Sequence, residues 1–220
     1  MLSKIFFDDL RVIIKHHFKE KSGHGFDHTE RVYNSAVMLA QSERCYCMVD
    51  TDVIRASALL HDIARHKQDI GEVECHAAEG AKMAREILKE VGFPSEKIPK
   101  VVYAIALHRY SKGITPKTIE AKILQDADRL DALGAICIAR VFSFGGKKDR
   151  PMYDPDITVE SEGEYDGSVS STSFNHFFTK ILKITPESFK TEKAQEIARG
   201  RYQAIVDFTD RFKKEWNGVL

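Results

Sequence analysis

Apolar side chains recur every three or four positions along most of this chain, which is the period of an amphipathic α-helix. Within residues 28–48, for example, Val32, Ala36 and Leu39 fall on one stripe. No alternating run of Val, Ile and Thr is long enough to form the core of a sheet. The pattern therefore predicts an all-α fold built from many helices.

Glycine and proline interrupt the periodic segments and set the expected helix boundaries. Asp52 comes directly before an apolar stretch and is the expected N-cap of the third helix, which runs to the His61-Asp62 pair. The other predicted helices cover residues 3–19, 28–48, 74–91, 96–109, 116–144, 173–183 and 188–216.

Residues 145–172 interrupt this helical pattern. They contain two glycines in tandem, two prolines and four serines, and they show no helical period. A loop of this length is usually a functional lid or a disordered insertion, and both alternatives stay open here. Because 220 residues fall short of two full domains, we expect one domain over 1–220. It would contain core motifs in 24–142, this loop, and C-terminal helices in 173–216.

Composition and charge exclude several classes of protein. Lys plus Arg and Asp plus Glu number 33 each, so the net charge is zero and the chain as a whole lacks a nucleic-acid footprint. The longest apolar run, residues 101–107, is too short to cross a bilayer. Asp8 and Asp9 interrupt the N-terminal segment before it can form the core of a signal peptide. We therefore expect a cytoplasmic protein with no membrane partner, and its oligomeric state stays open.

The His61-Asp62 pair is the first candidate for chemistry. His61 falls seven residues after Ile54 and three after Ala58, so it continues the stripe that faces the core. Burying an ionised Asp62 beside it costs several kcal/mol unless a cation or hydrogen bonds compensate. Imidazole nitrogen together with carboxylate oxygen suits a catalytic divalent metal better than a structural zinc, which prefers thiolates. A positive ion is therefore expected close to this pair.

A second acidic stretch lies in residues 121–142. Taken as one helix, this segment places Asp128 and Asp131 on one largely buried stripe. Two carboxylates that point inward together would raise the pKa of one of them or bind a metal. Asp126 falls on a different side and is the least attractive ligand of the three. Periodicity alone does not choose between Asp128 and Asp131.

The order of His28, His61-Asp62 and Asp128 along the chain resembles the signature of the HD-domain superfamily of metal-dependent phosphohydrolases. Within that superfamily the chain resembles small bacterial HD hydrolases of the nucleotide pyrophosphohydrolase type. The resemblance implies that His28, His61, Asp62 and Asp128 ligate one divalent ion, which would be Mn, Mg, Fe, Ni or Zn. The segments that carry it are HGFDHTERV at 24–32, LLHDIARH at 59–66, HAAEGA at 76–81, LQDADRLDALGA at 124–135, HFFTKIL at 176–182 and TEKAQEIARGRY at 191–202.

The resemblance also implies roles for neighbouring residues. Asp62 would bind the metal and act as the catalytic acid or base, and His24, one helical turn before His28, is a second catalytic candidate. His76 and His108 lie where binuclear relatives place ligands of a second ion. They would hold such an ion or bind phosphate, and both alternatives stay open because these two histidines depart from the adjacent His-His pair of the best-known binuclear group.

Phosphate groups need cations to neutralise them. The candidate substrate-binding residues are Arg31, which lies on the same face as His28, together with Arg65 and Lys180. Asp131 is expected to form hydrogen bonds to the metal-ligating side chains rather than to ligate the ion itself.

These observations predict an enzyme that uses a divalent metal to cleave a phosphoester or phosphoanhydride, with a nucleotide as the favoured substrate. Two alternatives stay open. One is a cyclic-nucleotide phosphodiesterase of the same fold, and the other is a regulatory HD module that keeps its metal but catalyses no reaction.

Overall fold

The structure is a computed structural model that describes residues 1–18, 25–43, 48–159 and 170–220. The described residues form helices and contain no β-strand, which confirms the predicted all-α fold. No helix among them has the length and apolar character needed to span a membrane. The α-helices are α1 (Lys4–Ile14), α2 (Phe26–Ser42), α3 (Thr51–Leu60), α4 (Arg65–Asp69), α5 (His76–Glu90), α6 (Ile98–Ala106), α7 (Ile119–Leu130), α8 (Gly134–Lys147), α9 (Asn175–Thr179) and α10 (Glu192–Trp216).

The chain divides into two compact units, residues 1–129 and 130–220. In the first unit α3 packs against both α2 and α6, and α5 packs against α6. Its core is formed by buried side chains such as Leu10, Leu59 and Ile105, whose removal from water supplies the main stabilising free energy. The prediction that residues 1–220 form a single domain stays a prediction.

The second unit is organised around aromatic side chains. Its helix α8 packs against α10, and the rings of Phe174 and Phe212 stack with their centroids 4.5 Å apart. Phe142 and Phe177 extend this cluster at a centroid distance of 5.8 Å. Such pairs contribute about 0.5–1.5 kcal/mol each beyond the area they bury, so the aromatic cluster fixes α9 and α10 within this unit.

The predicted N-cap of the third helix is wrong by two residues. Asp50, rather than Asp52, caps α3, because its Oδ1 accepts from the backbone N–H groups of Asp52 at 3.2 Å and Val53 at 3.4 Å. Asp52 is instead buried in the first turn, where its Oδ2 lies 2.7 Å from the Nζ of Lys97. Both acids suit the positive end of a helix, and both contact Lys97. Asp52 also accepts the backbone N–H of Leu2 on its Oδ1 at 2.8 Å, and this tertiary contact holds it in its buried position.

The predicted helix over 116–144 is also wrong, since this segment forms two helices. α7 ends at Leu130, and α8 begins at Gly134, which has a φ of +81°. That left-handed conformation is open to glycine but costly for residues with a Cβ. Asp128 and Asp131 therefore do not share one helical stripe.

The other boundaries shift by a few residues, as is common at helix ends. α2 ends at Ser42 rather than at 48, and α10 begins at Glu192 rather than at 188. α8 extends to Lys147 and so covers the beginning of the predicted loop, whereas residues 160–169 of that loop lie outside the described residues.

We expect Gly134→Ala to lower the free energy of unfolding by about 1–2 kcal/mol, because an alanine at positive φ is strained. A Cβ there would also lie 3.0 Å from Cγ of Arg201. Gly200→Ala is the control, since Gly200 lies inside α10 with nothing within 4 Å of an added Cβ, and it should raise the free energy of unfolding by about 1 kcal/mol. Urea unfolding measures both values, and equal effects of the two substitutions would contradict this explanation.

Candidate metal centre

Three helices of the first unit bring His28, His61 and Asp128 together. His28 lies in the first turn of α2, His61 directly follows α3, and Asp128 lies in the last turn of α7. The Nε2 of His28 is 3.3 Å from Nε2 of His61 and 3.3 Å from Oδ1 of Asp128. Both imidazoles are buried, with no more than 1% of each exposed. These three residues are called group A below.

A second group, called group B, contains Asp62, His76 and His108. Oδ1 of Asp62 lies 3.1 Å from Nε2 of His76 and 3.5 Å from Nε2 of His108. The two Nε2 atoms are 3.2 Å apart. His76 begins α5 and His108 follows α6, and the packing of α5 against α6 brings the two rings together.

Asp62 connects the two groups. While its Oδ1 faces group B, its Oδ2 lies 3.8 Å from Nε2 of His28 and 3.8 Å from Nε2 of His61. One carboxylate is therefore placed to contribute an oxygen to each group, and the six side chains form one continuous cluster.

Helix ends determine which nitrogen of two histidines carries the proton. Nδ1 of His61 lies 2.8 Å from the carbonyl oxygen of Ala58, and Nδ1 of His108 lies 2.7 Å from that of Ile105. The last carbonyls of a helix have no partner within it, and a carbonyl oxygen can only accept. Nδ1 must therefore carry the proton, so that in the neutral ring the lone pair of Nε2 points into the cluster.

Gln68 in α4 orients the third ring. Its Oε1 accepts the backbone N–H of His76 at 3.1 Å, which identifies that atom as the oxygen. The same oxygen makes a short contact with Nδ1 of His76, so Nδ1 donates and Nε2 is again left with a lone pair. Histidines that ligate metals usually make an outward hydrogen bond of this kind. Gln68 was not found by sequence reasoning, because no periodic signal links it to His76.

Burial and mutual charge set the protonation states. Burial lowers the pKa of His61 to about 4, so the ring is neutral at pH 7. Burial also lowers the pKa of His76. Burial opposes protonation of His108 as well, but the hydrogen bond and charge of Asp62 outweigh it and raise the pKa. Burial opposes ionisation of Asp128, yet the hydrogen bond from His28 and the nearby imidazoles hold the pKa of this carboxyl well below its usual range.

The donor set fits a divalent cation. Each group offers two imidazole nitrogens and a carboxylate oxygen within 4.8 Å of one another, and neither contains a thiolate. This mixture is typical of Mn, Fe, Ni, Zn or Mg sites with open positions. The Nε2 atoms of His76 and His108 are 3.2 Å apart, and two lone pairs at that distance repel each other unless a proton or a cation lies between them.

Two predicted phosphate-binding residues lie in the first unit, each beside an acid one helical turn away. Nη1 of Arg31 is 2.8 Å from Oδ2 of Asp27, and Nε of Arg65 is 3.1 Å from Oδ1 of Asp69. The charge of Arg65 also contributes to the lowered pKa of His76. Exposed ion pairs of this kind contribute at most about 1 kcal/mol, so a phosphate group can compete for both guanidinium groups.

The remaining predicted residues are outside groups A and B. His24 lies outside the described residues. Asp126 is buried in α7 but belongs to neither group. Lys180 is exposed in the second unit, where Asp131 accepts a 2.6 Å hydrogen bond from Arg140 on its Oδ2. The roles assigned to Lys180 and Asp131 stay predictions.

Known proteins resemble this chain closely. The sequence model of the HD domain family matches residues 25–133, which include all of groups A and B. An HD-superfamily hydrolase from Bacillus thuringiensis is 35% identical, with a TM-score of 0.72 and 96% of each chain covered. A predicted HD-superfamily hydrolase from an uncultured Thermotogales bacterium is 33% identical, with a TM-score of 0.66, 95% of this chain and 92% of that chain covered. Bacillus subtilis YpgQ in complex with ADP is 26% identical, with a TM-score of 0.70, 96% of this chain and 95% of that chain covered.

We expect Mn²⁺ to stabilise the chelator-treated protein, because an ion that binds only the folded state adds about 2.7 kcal/mol at 100 times its Kd. For a chain of this size the increase in Tm is roughly 5–10 °C, measured by scanning calorimetry. His61→Ala should remove the increase, whereas the control His16→Ala, on an exposed side chain, should keep it. An equal increase in the His61→Ala protein would contradict the assignment of group A.

Proposed function

This chain belongs to the HD superfamily, and from that membership we propose that it is a divalent-metal-dependent phosphohydrolase that cleaves a phosphoester or phosphoanhydride of a nucleotide. The observation that carries the proposal is the cluster of four buried imidazoles, the buried carboxylate of Asp62 and the partly buried carboxylate of Asp128 in groups A and B. Burying this many titratable groups without a cation costs folding free energy. A bound ion with open coordination positions would offset that cost and could also bind water and substrate.

Group A together with Oδ2 of Asp62 would hold the first ion, as Mn, Mg, Fe, Ni or Zn. When bound, such an ion polarises a phosphoryl oxygen and makes water available as a nucleophile near neutral pH. His28 and His61 would supply nitrogen ligands, and Asp128 with Asp62 would supply oxygen ligands and neutralise the charge of the ion. The hydrogen bond from Nδ1 of His61 to Ala58 would keep that ring in the ligating orientation.

Asp62 is the proposed catalytic acid or base. Hydrolysis forms a bond from a water oxygen to phosphorus and breaks the bond from phosphorus to the leaving oxygen, so one proton must leave the attacking water. The carboxylate of Asp62 faces both groups and is 4% exposed, so it can take that proton with little competition from bulk solvent.

For His76 and His108, a second ion is better supported than phosphate binding. Group B has the same donor types as group A, and its ligand atoms lie equally close together. The orientation of His76 by Gln68 also leaves a lone pair, rather than an N–H, facing Asp62. Asp62 would contribute to holding both ions, because its Oδ1 faces group B and its Oδ2 faces group A.

A nucleotide is proposed as the substrate for two reasons. Bacillus subtilis YpgQ, a relative covered over 95% of its chain, has been solved in complex with ADP. The first unit also places Arg31 on α2 with His28, and Arg65 at the start of α4, three residues after Asp62. Guanidinium groups there can bind phosphate oxygens in pairs. Lys180, in the second unit, stays a predicted phosphate-binding residue.

We expect the Mn²⁺- or Mg²⁺-loaded protein to hydrolyse nucleoside di- or triphosphates, with the products identified by ³¹P NMR. His61→Ala and Asp128→Ala should each lower kcat by more than about 100-fold, because each removes a ligand, while the helical signal in circular dichroism stays unchanged. His16→Ala is again the control and should keep full activity.

Other outcomes of this screen identify the alternatives. Hydrolysis of 3′,5′-cyclic nucleotides alone would identify a phosphodiesterase, and a bound ion without turnover of any nucleotide would identify a regulatory module. Full activity of the His61→Ala protein would refute the proposed catalytic site.

The number of ions is a separate prediction. Elemental analysis of the Mn²⁺-loaded protein should give close to two ions per chain, and His108→Ala should reduce this to close to one, because the substitution removes a ligand from group B only. One ion per chain in both proteins would instead assign His76 and His108 to phosphate binding.

A further inference from the structure

Two glutamine side chains of the first unit hold the segments that carry the histidines of group B. Gln68 lies in α4 and contacts His76. Gln125 lies in α7 and contacts the carbonyl oxygen of Leu107, the residue directly before His108. Neither glutamine is itself a member of group A or group B, so any role in metal binding would be exercised through the histidines.

His76 needs a hydrogen-bond acceptor from a side chain because of its place in the fold. His61 and His108 follow helices and donate Nδ1–H to carbonyl oxygens of the preceding turn. His76 instead begins α5, and the first turn of a helix presents N–H groups rather than carbonyl oxygens. Oε1 of Gln68 supplies the missing acceptor, because it accepts the backbone N–H of His76 and also contacts Nδ1 of the same residue. The two contacts fix the ring relative to its own backbone.

The short helix α4 relates Gln68 to Asp62. The backbone N–H of Arg65 donates to the carbonyl oxygen of Asp62 at 2.8 Å, so α4 starts directly at the backbone of Asp62. Gln68 follows within the same helix, and α4 packs against α5. This arrangement places Nε2 of His76 3.1 Å from Oδ1 of Asp62. The contact of Gln68 therefore sets the distance between two candidate ligands of group B.

Gln125 fixes the segment of the second histidine through the backbone. Its side chain is completely buried, and its Nε2 donates to the carbonyl oxygen of Leu107 at 3.1 Å. A carbonyl oxygen can only accept, so the amide nitrogen must be the atom that faces it. Helix α7 thereby supports the segment that ends at His108.

The other end of the Gln125 amide indicates that folding stability alone does not explain a glutamine at this position. Its Oε1 is buried and has no hydrogen-bond partner among the described residues. Burying an acceptor without a partner costs folding free energy. An unbranched apolar side chain such as methionine would fill similar space without that cost. Donation to Leu107 is therefore the contact that distinguishes glutamine from an apolar residue here.

We propose that Gln68 and Gln125 are positioning residues that hold His76 and His108 at the separation needed to bind a second divalent ion. The inference rests on the proposed function, which assigns that ion to group B. Loss of either glutamine contact would allow one Nε2 to move away from Oδ1 of Asp62, and a ligand that is free to move binds an ion more weakly.

The first ion should not depend on the two glutamines. In group A, His61 is oriented by the carbonyl oxygen of Ala58, and His28 and Asp128 lie within regular helices. The two ions should therefore respond differently when Gln68 or Gln125 is replaced.

The test is isothermal titration calorimetry of Mn²⁺ with the chelator-treated full chain. The wild type should bind two ions. Gln68→Met and Gln125→Met keep an unbranched side chain but remove the acceptor and the donor, respectively. Each should weaken the binding of one ion by about 10–100-fold, as is typical when a residue that orients a metal ligand is lost, and should leave the other ion unchanged.

Two further variants serve as controls. Gln68→Glu keeps an oxygen acceptor beside His76 and should retain both ions, which distinguishes orientation of the ring from a general effect on folding. Gln41→Met makes the same substitution at an exposed position of α2 and should leave both affinities unchanged. Circular dichroism should give the same helical signal for all four variants.

Equal affinities of the wild-type, Gln68→Met and Gln125→Met chains would overturn the inference, as would an equal weakening of both ions. Loss of an ion from the Gln68→Glu chain to the same extent as from Gln68→Met would also contradict it. A single ion in the wild-type chain would overturn this inference and leave the proposed hydrolase with group A alone. A chain that binds two ions in the expected pattern but hydrolyses no nucleotide would refute the proposed function alone.

Discussion

The burial of carboxylates among imidazoles is the constraint on which the first unit depends. Asp62 and the four imidazoles around it are almost completely removed from water, whereas Asp128 is partly buried. Ionised oxygens in such a place need positive charge nearby. In a protein interior that charge comes from protonated side chains or from a metal ion. The outward hydrogen bonds of His61, His76 and His108 favour the ion, because they leave nitrogen lone pairs facing the carboxylates.

The helices supply this arrangement through their ends rather than through their middles. His61 and His108 each follow a helix and donate Nδ1–H to a carbonyl three residues earlier in the chain. Carbonyls in the last turn have no helical partner. The hydrogen bond from Nδ1–H satisfies one of these carbonyls and fixes the orientation of the ring in each case. His76 begins α5 and receives its orientation from Gln68 instead. Four separate segments thus place rigid donors around Asp62.

Sequence reasoning found the parts of this site that depend on local periodicity. The apolar stripe from Ile54 through Ala58 predicted that His61 faces the core, and His61 is fully buried. Sequence reasoning did not choose between Asp128 and Asp131 as the metal ligand, because it predicted one continuous helix through Gly134. No periodic signal marks the left-handed conformation of that glycine. The pairing of His76 with His108 depends on how α5 packs against α6, which local pattern does not contain. The N-cap was assigned to Asp52 rather than Asp50 for the same reason, since Asp52 is held by contacts to Leu2 and Lys97, which are distant in sequence.

Anomalous diffraction from a crystal of the Mn²⁺-loaded protein tests the central claim most directly. The account predicts a manganese peak within bonding distance, about 2.0–2.3 Å, of Nε2 of His28, Nε2 of His61 and the carboxylates of Asp62 and Asp128. A peak bound to other residues, or no peak at these four side chains at saturating Mn²⁺, would contradict it.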